Sequence, residues 1–228
     1  MLFHVPGVLK PDQVADIRRQ LDAASWIDGR ASAGQDAAAV KRNEELAKTD
    51  PASRALSEKV IAALMASPRF VALALPMRVV PPMFSRYHPG QTYGVHADGA
   101  VFQFAANGLP LYVRSDLAAT LFLSAPEDYD GGELVVQDTF GTTNVKLPAG
   151  DVVLYPASSL HHVAPVTRGV RHVSFFWVQS MVRSDEHRSQ LESLDTAIRE
   201  IRQTTPDSPA VMRLVALYHN LLRNWAET

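Results

Sequence analysis

Apolar residues recur at helical spacing through Val14, Ile17, Leu21 and Ala24, directly after Pro11, and predict a first helix that this proline opens. Residues 29–40, rich in Gly, Ala, Ser and Gln, read as a loop. Asp50 before Pro51 has the form of an N-cap followed by proline at the first helical position; Leu56, Val60, Ile61, Leu64 and Met65 give that helix its apolar stripe. After Pro68 the pattern changes to short β-branched and aromatic runs broken by Gly, Pro and Asp. Strands are predicted over 70–75, 78–86, 92–97, 118–124, 132–138, 143–147, 151–155, 160–164 and 171–179, with a tight turn at Pro148-Ala149-Gly150-Asp151. The stretch 99–117 interrupts this rhythm and is expected to cross the mouth of a barrel. From Ser184 the spacing is helical again, with Leu191, Leu194, Ala197, Ile198 and Ile201 on one stripe. A polar break at Thr204–Ser208 follows, then a second helix capped by Asp207 or Ser208, starting at Pro209 and carrying Val211, Leu214, Leu217, Tyr218, Leu221, Leu222 and Trp225.

Many short strands with close turns predict a mainly β fold with flanking helices, a sandwich or double-sheet jelly roll. Expected boundaries are a β-domain with its N-terminal helices at 1–182, its core about 78–180, and a C-terminal helical hairpin at 183–228. The hairpin's apolar face must bury against the β-domain or another subunit, so homo-oligomerisation through it is an expectation. No internal repeat or low-complexity tract is present.

Composition narrows the functions. Of 228 residues, 46% are hydrophobic and 20% charged, enough for a sizeable core and a solvated surface. Lys and Arg total 22 against 24 Asp and Glu, a net charge of −2, which argues against nucleic-acid and membrane partners. There is no cysteine, which rules out disulfides, iron–sulfur clusters and thiolate metal sites; any metal must use His and carboxylate. Residues 1–10 lack the layout of a signal peptide and no apolar run reaches membrane-spanning length, so a cytoplasmic location is expected.

The chemistry gathers at His96-Ala97-Asp98. On a strand, residues two apart point to one face, so an imidazole and a carboxylate project together. Further on, Leu160-His161-His162-Val163 precedes a turn at Gly169, after which Arg171, Val173, Phe175 and Trp177 share a strand face. Paired antiparallel, the two segments bring a histidine and an arginine toward each other. Two histidines and one carboxylate form the facial set of non-haem Fe(II) oxygenases, which leaves positions for a bidentate 2-oxo acid and O2. The planar guanidinium suits that acid's far carboxylate. From residue chemistry alone His161 and His162 compete as the distal ligand, and Arg171 could instead meet an internal carboxylate.

The stretch Arg86-Tyr87-His88-Pro89-Gly90-Gln91-Thr92-Tyr93-Gly94-Val95-His96-Ala97-Asp98 resembles the Y-x-x-G-x-x-Y-x-x-H-x-D signature of prolyl-4-hydroxylase-type 2-oxoglutarate oxygenases. Asp130-Gly131-Gly132-Glu133-Leu134 is similar to their G-G-E-L strand. His161-x-Val163-x-Pro165-Val166-Thr167-x-Gly169-x-Arg171 is similar to their distal H-x-V-x-P-V-x-x-G-x-R element. With its helical tail, the chain resembles the bacterial PKHD-type hydroxylases over nearly its full length. The resemblance implies a double-stranded β-helix, Fe(2+) on His96, Asp98 and His161, and 2-oxoglutarate on Arg171 with Tyr87 nearby. It selects His161 over His162, because the family's arginine follows its ligand by ten positions, and it leaves His172 facing away. O2 and L-ascorbate complete the implied cofactors. The implied reaction hydroxylates a substrate and releases succinate and CO2. Asp98 favours hydroxylation, since halogenating relatives carry a small residue there. A prolyl or lysyl residue in a peptide and a siderophore-like small molecule connected with iron uptake are both consistent with the group. The rivals are a cupin-like Zn(II) or Mn(II) protein and a non-catalytic iron or 2-oxoglutarate sensor.

Overall fold

The structure, a computed structural model, describes residues 2–106, 109–138, 141–206 and 208–227. The chain opens with β1 (Phe3–Val5) and α1 (Pro11–Asp22). Then come β2 (Trp26–Asp28), a 3-10 turn at Gly29–Ser32, α2 (Gln35–Val40), and the short strands β3 (Lys41–Arg42) and β4 (Glu44–Leu46). The helices α3 (Pro51–Ala66) and α4 (Pro68–Ala74) lead into β5 (Pro76–Val79), β6 (Met83–Tyr87) and β7 (Thr92–His96). A ribbon of β8 (Val101–Ala106) and β9 (Leu109–Arg114) precedes β10 (Leu117–Phe122), β11 (Tyr129–Gly131), β12 (Leu134–Asp138) and β13 (Gly141–Val145). The remaining strands are β14 (Val152–Pro156), β15 (His161–Val163), β16 (Val166–Gly169) and β17 (Arg171–Ser180), and the helices α5 (Asp185–Thr204) and α6 (Pro209–Trp225) end the chain.

Two sheets form the jelly roll. The larger runs β1-β14-β10-β17-β6-β4-β2 with β5 beside β17; the smaller runs β13-β12-β15-β7-β3. Strand alternation divides the core into two layers. Leu117, Ala119 and Leu121 of β10 and Phe176 and Val178 of β17 pack outward against Ile17, Leu21, Leu56, Leu64 and Phe70 of the N-terminal helices. Ala118, Phe122, Val173 and Trp177 point the other way, into the barrel, with Leu134, Val136 and Tyr155. Fully buried rings such as Phe70 and Phe176 each stabilise by about 1.5–3 kcal/mol.

Three expectations are corrected. The apolar run at 70–75 forms α4, not a strand. Ser67 caps it by accepting a hydrogen bond from Phe70 N, Pro68 sits in the first turn, and Phe70, Leu73 and Ala74 bury one helical face. Residues 29–40 carry a 3-10 turn and α2 in place of a loop. The predicted strand 78–86 is interrupted around Pro81-Pro82, since two adjacent prolines leave two missing ladder donors. Of the two candidate caps for α6, Ser208 fills the position, its side chain accepting from Ala210 N; Asp207 lies outside the described residues. No helix among the described residues is long and apolar enough to cross a membrane.

Candidate active site

The site is built where β7 and β15 lie side by side in the smaller sheet. His96 and His161 are directly opposite in the antiparallel register, and Tyr93 pairs with Val163. Four residues of β7, 93–96, thus face three of β15, 161–163. The extra residue is a bulge, and it lets Tyr93 and His96 share the inner face although they are three apart. The strand ends at His96, so Asp98 comes from the segment just beyond it.

The imidazoles are fixed by backbone bonds. His96 Nδ1–H donates to Gly94 O at 2.8 Å, and His161 Nδ1–H donates to Ser159 O at 3.0 Å. Each bond selects the tautomer that leaves Nε2 free inward. These Nε2 atoms lie 3.9 and 3.8 Å from Asp98 Oδ1, and the three donor atoms fall within 4.8 Å of one another. All three side chains are less than 10% exposed. Burial, reinforced by His161, pushes the His96 imidazole down to about 4. Burial pushes the Asp98 carboxyl up, against the opposing pull of His161, the Trp177 indole and Lys41. Two imidazoles with Nε2 turned inward beside a desolvated Asp98 carboxyl group are a donor set that a divalent cation would satisfy.

Arg171 starts β17 and pairs with Tyr87 across the sheet. It is 1% exposed, and its Nε and Nη1 have no hydrogen-bond partner. Among the described residues no carboxylate approaches within ion-pair distance, which disposes of the internal-pair reading. Its guanidinium carbon lies 5.2 Å from the Tyr87 ring and 5.6 Å from Phe122. A buried guanidinium with unsatisfied donors is costly unless an anion meets it. Gly132 provides its room: at φ +66°, a Cβ there would stand 3.0 Å from Arg171 Cδ and 3.1 Å from the Tyr129 ring. The glycine pair of the G-G-E-L element therefore shapes this corner. Tyr87 is buried with its hydroxyl pushed up by desolvation, an effect that Arg171 counters.

His162 points to the other side of β15 and is only half-buried, outside the donor cluster. His172 is buried on the outer face of β17, edge-on to Trp26 at 6.0 Å, and burial holds its imidazole down to about 3. A cavity of about 1050 Å³ joins the histidines, Asp98 and Arg171. The ribbon β8–β9 hangs over it, with Phe102 and Phe104 facing the cavity and Phe102 resting on Trp177 at 4.3 Å between ring centres. This is how the stretch 99–117 meets the barrel mouth; residues 107 and 108 lie outside the described residues.

Several lining residues escaped the sequence reading. Tyr155 packs against His161 at 5.1 Å, and Trp177 carries a buried, unpartnered indole N–H beside Asp98. For Trp177 the signal was present, since it shares the alternating face of Arg171. Lys41 and Glu45 form a buried ion pair in the cavity wall, and nothing in their local sequence marks them.

Residues 82–179 match the model of the 2OG-Fe(II) oxygenase superfamily, and residues 185–227 match that of the PKHD-type hydroxylase C-terminal domain. A PKHD-type hydroxylase of Burkholderia ambifaria is 54% identical over 230 residues, and one of Stenotrophomonas maltophilia 53% over 227, each covered completely together with this chain. Among solved structures, a Trichoplax adhaerens prolyl hydroxylase in complex with a hypoxia inducible factor peptide fragment is similar with a TM-score of 0.57 at 10% identity, covering 83% of this chain and 86% of that one. HygX from Streptomyces hygroscopicus, with nickel, 2-oxoglutarate and hygromycin B bound, gives 0.53 at 17% identity, covering 77% and 81%. At such identities these two likenesses concern the fold alone.

Proposed function

The chain belongs to the PKHD-type hydroxylases, 2-oxoglutarate- and Fe(II)-dependent enzymes, and on that footing we propose that His96, Asp98 and His161 hold the iron while Arg171 anchors the far carboxylate of 2-oxoglutarate. The observation that carries the assignment is the pairing of a His-Asp-His cluster with a buried arginine whose donors lack a partner, in one cavity. When bound, Fe(II) with 2-oxoglutarate and O2 supplies the oxidising power of the family's hydroxylation, with succinate and CO2 as co-products.

The chain's own residues supply position and environment. Gly94 O and Ser159 O hold both Nε2 atoms inward. Arg171 offers a planar fork that a carboxylate can meet with two parallel bonds. Tyr87 and Phe122 flank the guanidinium and keep it from swinging. Phe102, Phe175 and Trp177 exclude water and strengthen each charge interaction inside. The cavity lies at the upper end of the range for small-molecule sites, leaving room beside a five-carbon diacid for a second reactant.

For that reactant both a peptidyl residue and a siderophore-like molecule from iron uptake fit the reading; of the two similar folds one holds a peptide fragment and the other hygromycin B. L-ascorbate as an accessory, a cytoplasmic setting, a division into 1–182 and 183–228, and self-association through α5 and α6 belong to the same proposal. The exposed Met212 and Leu217 support the last. Anaerobic titration of the Fe(II)-loaded protein with 2-oxoglutarate tests it: a weak visible charge-transfer band is expected, lost in His161→Ala and kept in His162→Ala. No band with iron bound would refute the co-substrate assignment.

A further inference from the structure

Lys41 stands opposite Tyr93 because β3, only two residues long, pairs with the edge of β7. Its Nζ lies 5.0 Å from the centre of the Tyr93 ring and 5.6 Å from that of Phe175. On the same Tyr93 ring lies the His96 imidazole, nearly parallel at 15° and 3.7 Å between centres. Ammonium and imidazole thus both lie against the Tyr93 ring, next to the metal-type cluster. Lys41 and Glu45 are 4% and 5% exposed; they pair with each other, and Lys41 Nζ also donates to Ser32 Oγ at 3.0 Å. The backbone is equally tight: a Cβ on Gly94 would stand 2.7 Å from Val40 Cβ.

Apolar side chains of similar volume often replace a buried ion pair without loss of stability, so stability alone does not account for this one. Geometry does. His96 is tied along one edge by Gly94 O, a bond about which the ring can still tilt. Tyr93 blocks that tilt by lying flat on the ring, His161 stands 4.3 Å away between ring centres, and Lys41 pins Tyr93 through cation–π attraction. Glu45 cancels the charge that would otherwise repel a dication.

We propose that Lys41, held by Glu45, is a positioning residue that braces Tyr93 against His96 and so fixes the metal site. This role rests on the iron assignment above. It is tested with Co(II) alone, titrated anaerobically into the full-length protein and followed by its visible absorption. In Lys41→Met/Glu45→Leu no stranded charge remains; the variant is expected to keep its circular dichroism and bind Co(II) about 10- to 100-fold more weakly, the range seen when support for a metal ligand is lost. Lys41→Arg, which keeps a cation on the ring, is expected to stay within about threefold of the parent. Equal or tighter Co(II) binding by the folded double variant would overturn the role. Should that variant fail to fold, Tyr93→Leu removes the ring that both groups touch and leaves the ion pair intact; weakened Co(II) binding supports the brace and unchanged binding overturns it. A parent protein that binds no Co(II) refutes the iron assignment and this role with it, a result distinct from a binding parent matched by its variants.

Discussion

Replacing Arg171 by methionine should separate stability from ligand binding. The side chain is 1% exposed, with two donors unsatisfied and no carboxylate near it among the described residues. In the free protein it is thus an unpaired buried cation, and an apolar residue of similar volume should leave stability equal or raise it by about 1–4 kcal/mol. In the complex it is one half of a desolvated charge pair, whose truncation costs roughly 2–5 kcal/mol, or about 30-fold to a few thousand-fold in affinity. Two measurements suffice: the thermal midpoint of the metal-free protein, and the 2-oxoglutarate dissociation constant of the Mn(II)-loaded protein without O2. Arg171→Met is expected to melt no lower than the parent yet to lose 2-oxoglutarate binding by at least about 30-fold. The opposite pattern, a midpoint depressed by many degrees with affinity kept, would show that Arg171 serves a structural contact and would remove the co-substrate assignment.

Other outcomes follow from the same geometry. Arg171→Lys keeps a charge but loses the fork and should recover only a small part of the binding, checked by the same titration. Gly132→Ala forces a Cβ onto Arg171 Cδ from a left-handed backbone position, so it should weaken 2-oxoglutarate binding and lower stability by about 1–3 kcal/mol, read by titration and urea unfolding. Trp177→Phe keeps the ring but removes the N–H beside Asp98, and Mn(II) affinity should fall about tenfold. His172 is held near 3 by burial against an ordinary value of 6.5, so the unfolded chain binds its proton first as pH falls. Its contribution is therefore fully present above about pH 6.5 and is lost toward pH 3, with a limiting slope of about 1.4 kcal/mol per pH unit. Urea unfolding of the parent and His172→Phe at pH 7 and pH 5 should diverge at the lower value; parallel stabilities would refute the burial account.

How much of this was legible depended on the range of the information. The choice of His161 over His162 rested on the family resemblance, whereas the His96–Asp98 spacing and the strand face of Arg171 stood out because these are local properties of the chain. The β-rich character, the N-cap at Asp50 and the C-terminal helical pair could be read for the same reason. The helix at 68–74 was misread because Phe70, Val71, Leu73 and Leu75 suit a buried strand equally well, and the Ser67-Pro68 start signal decides between them. Lys41 was invisible for a different cause. Its environment comes from residues about fifty and more positions later, Tyr93 and Phe175, and a two-residue strand has no period to detect. The closeness of Gly132 to Arg171 likewise spans five intervening strands, β12 to β16.

The place of β17 in the larger sheet bears on the order of events during synthesis. It is the last strand made, yet it sits in the middle, between β10 and β6. Until Ser180 has left the ribosome the sheet has a gap at its centre, and its inner strands present unpaired edges to any neighbouring chain. Most of the oxygenase domain therefore cannot close as it emerges, despite the general tendency of earlier segments to fold first. The buried arginine that opens β17 arrives with the same late strand, so a nascent chain that already carries both histidines still lacks the guanidinium of the cavity. The two C-terminal helices follow directly and are made only after the strand that covers those edges.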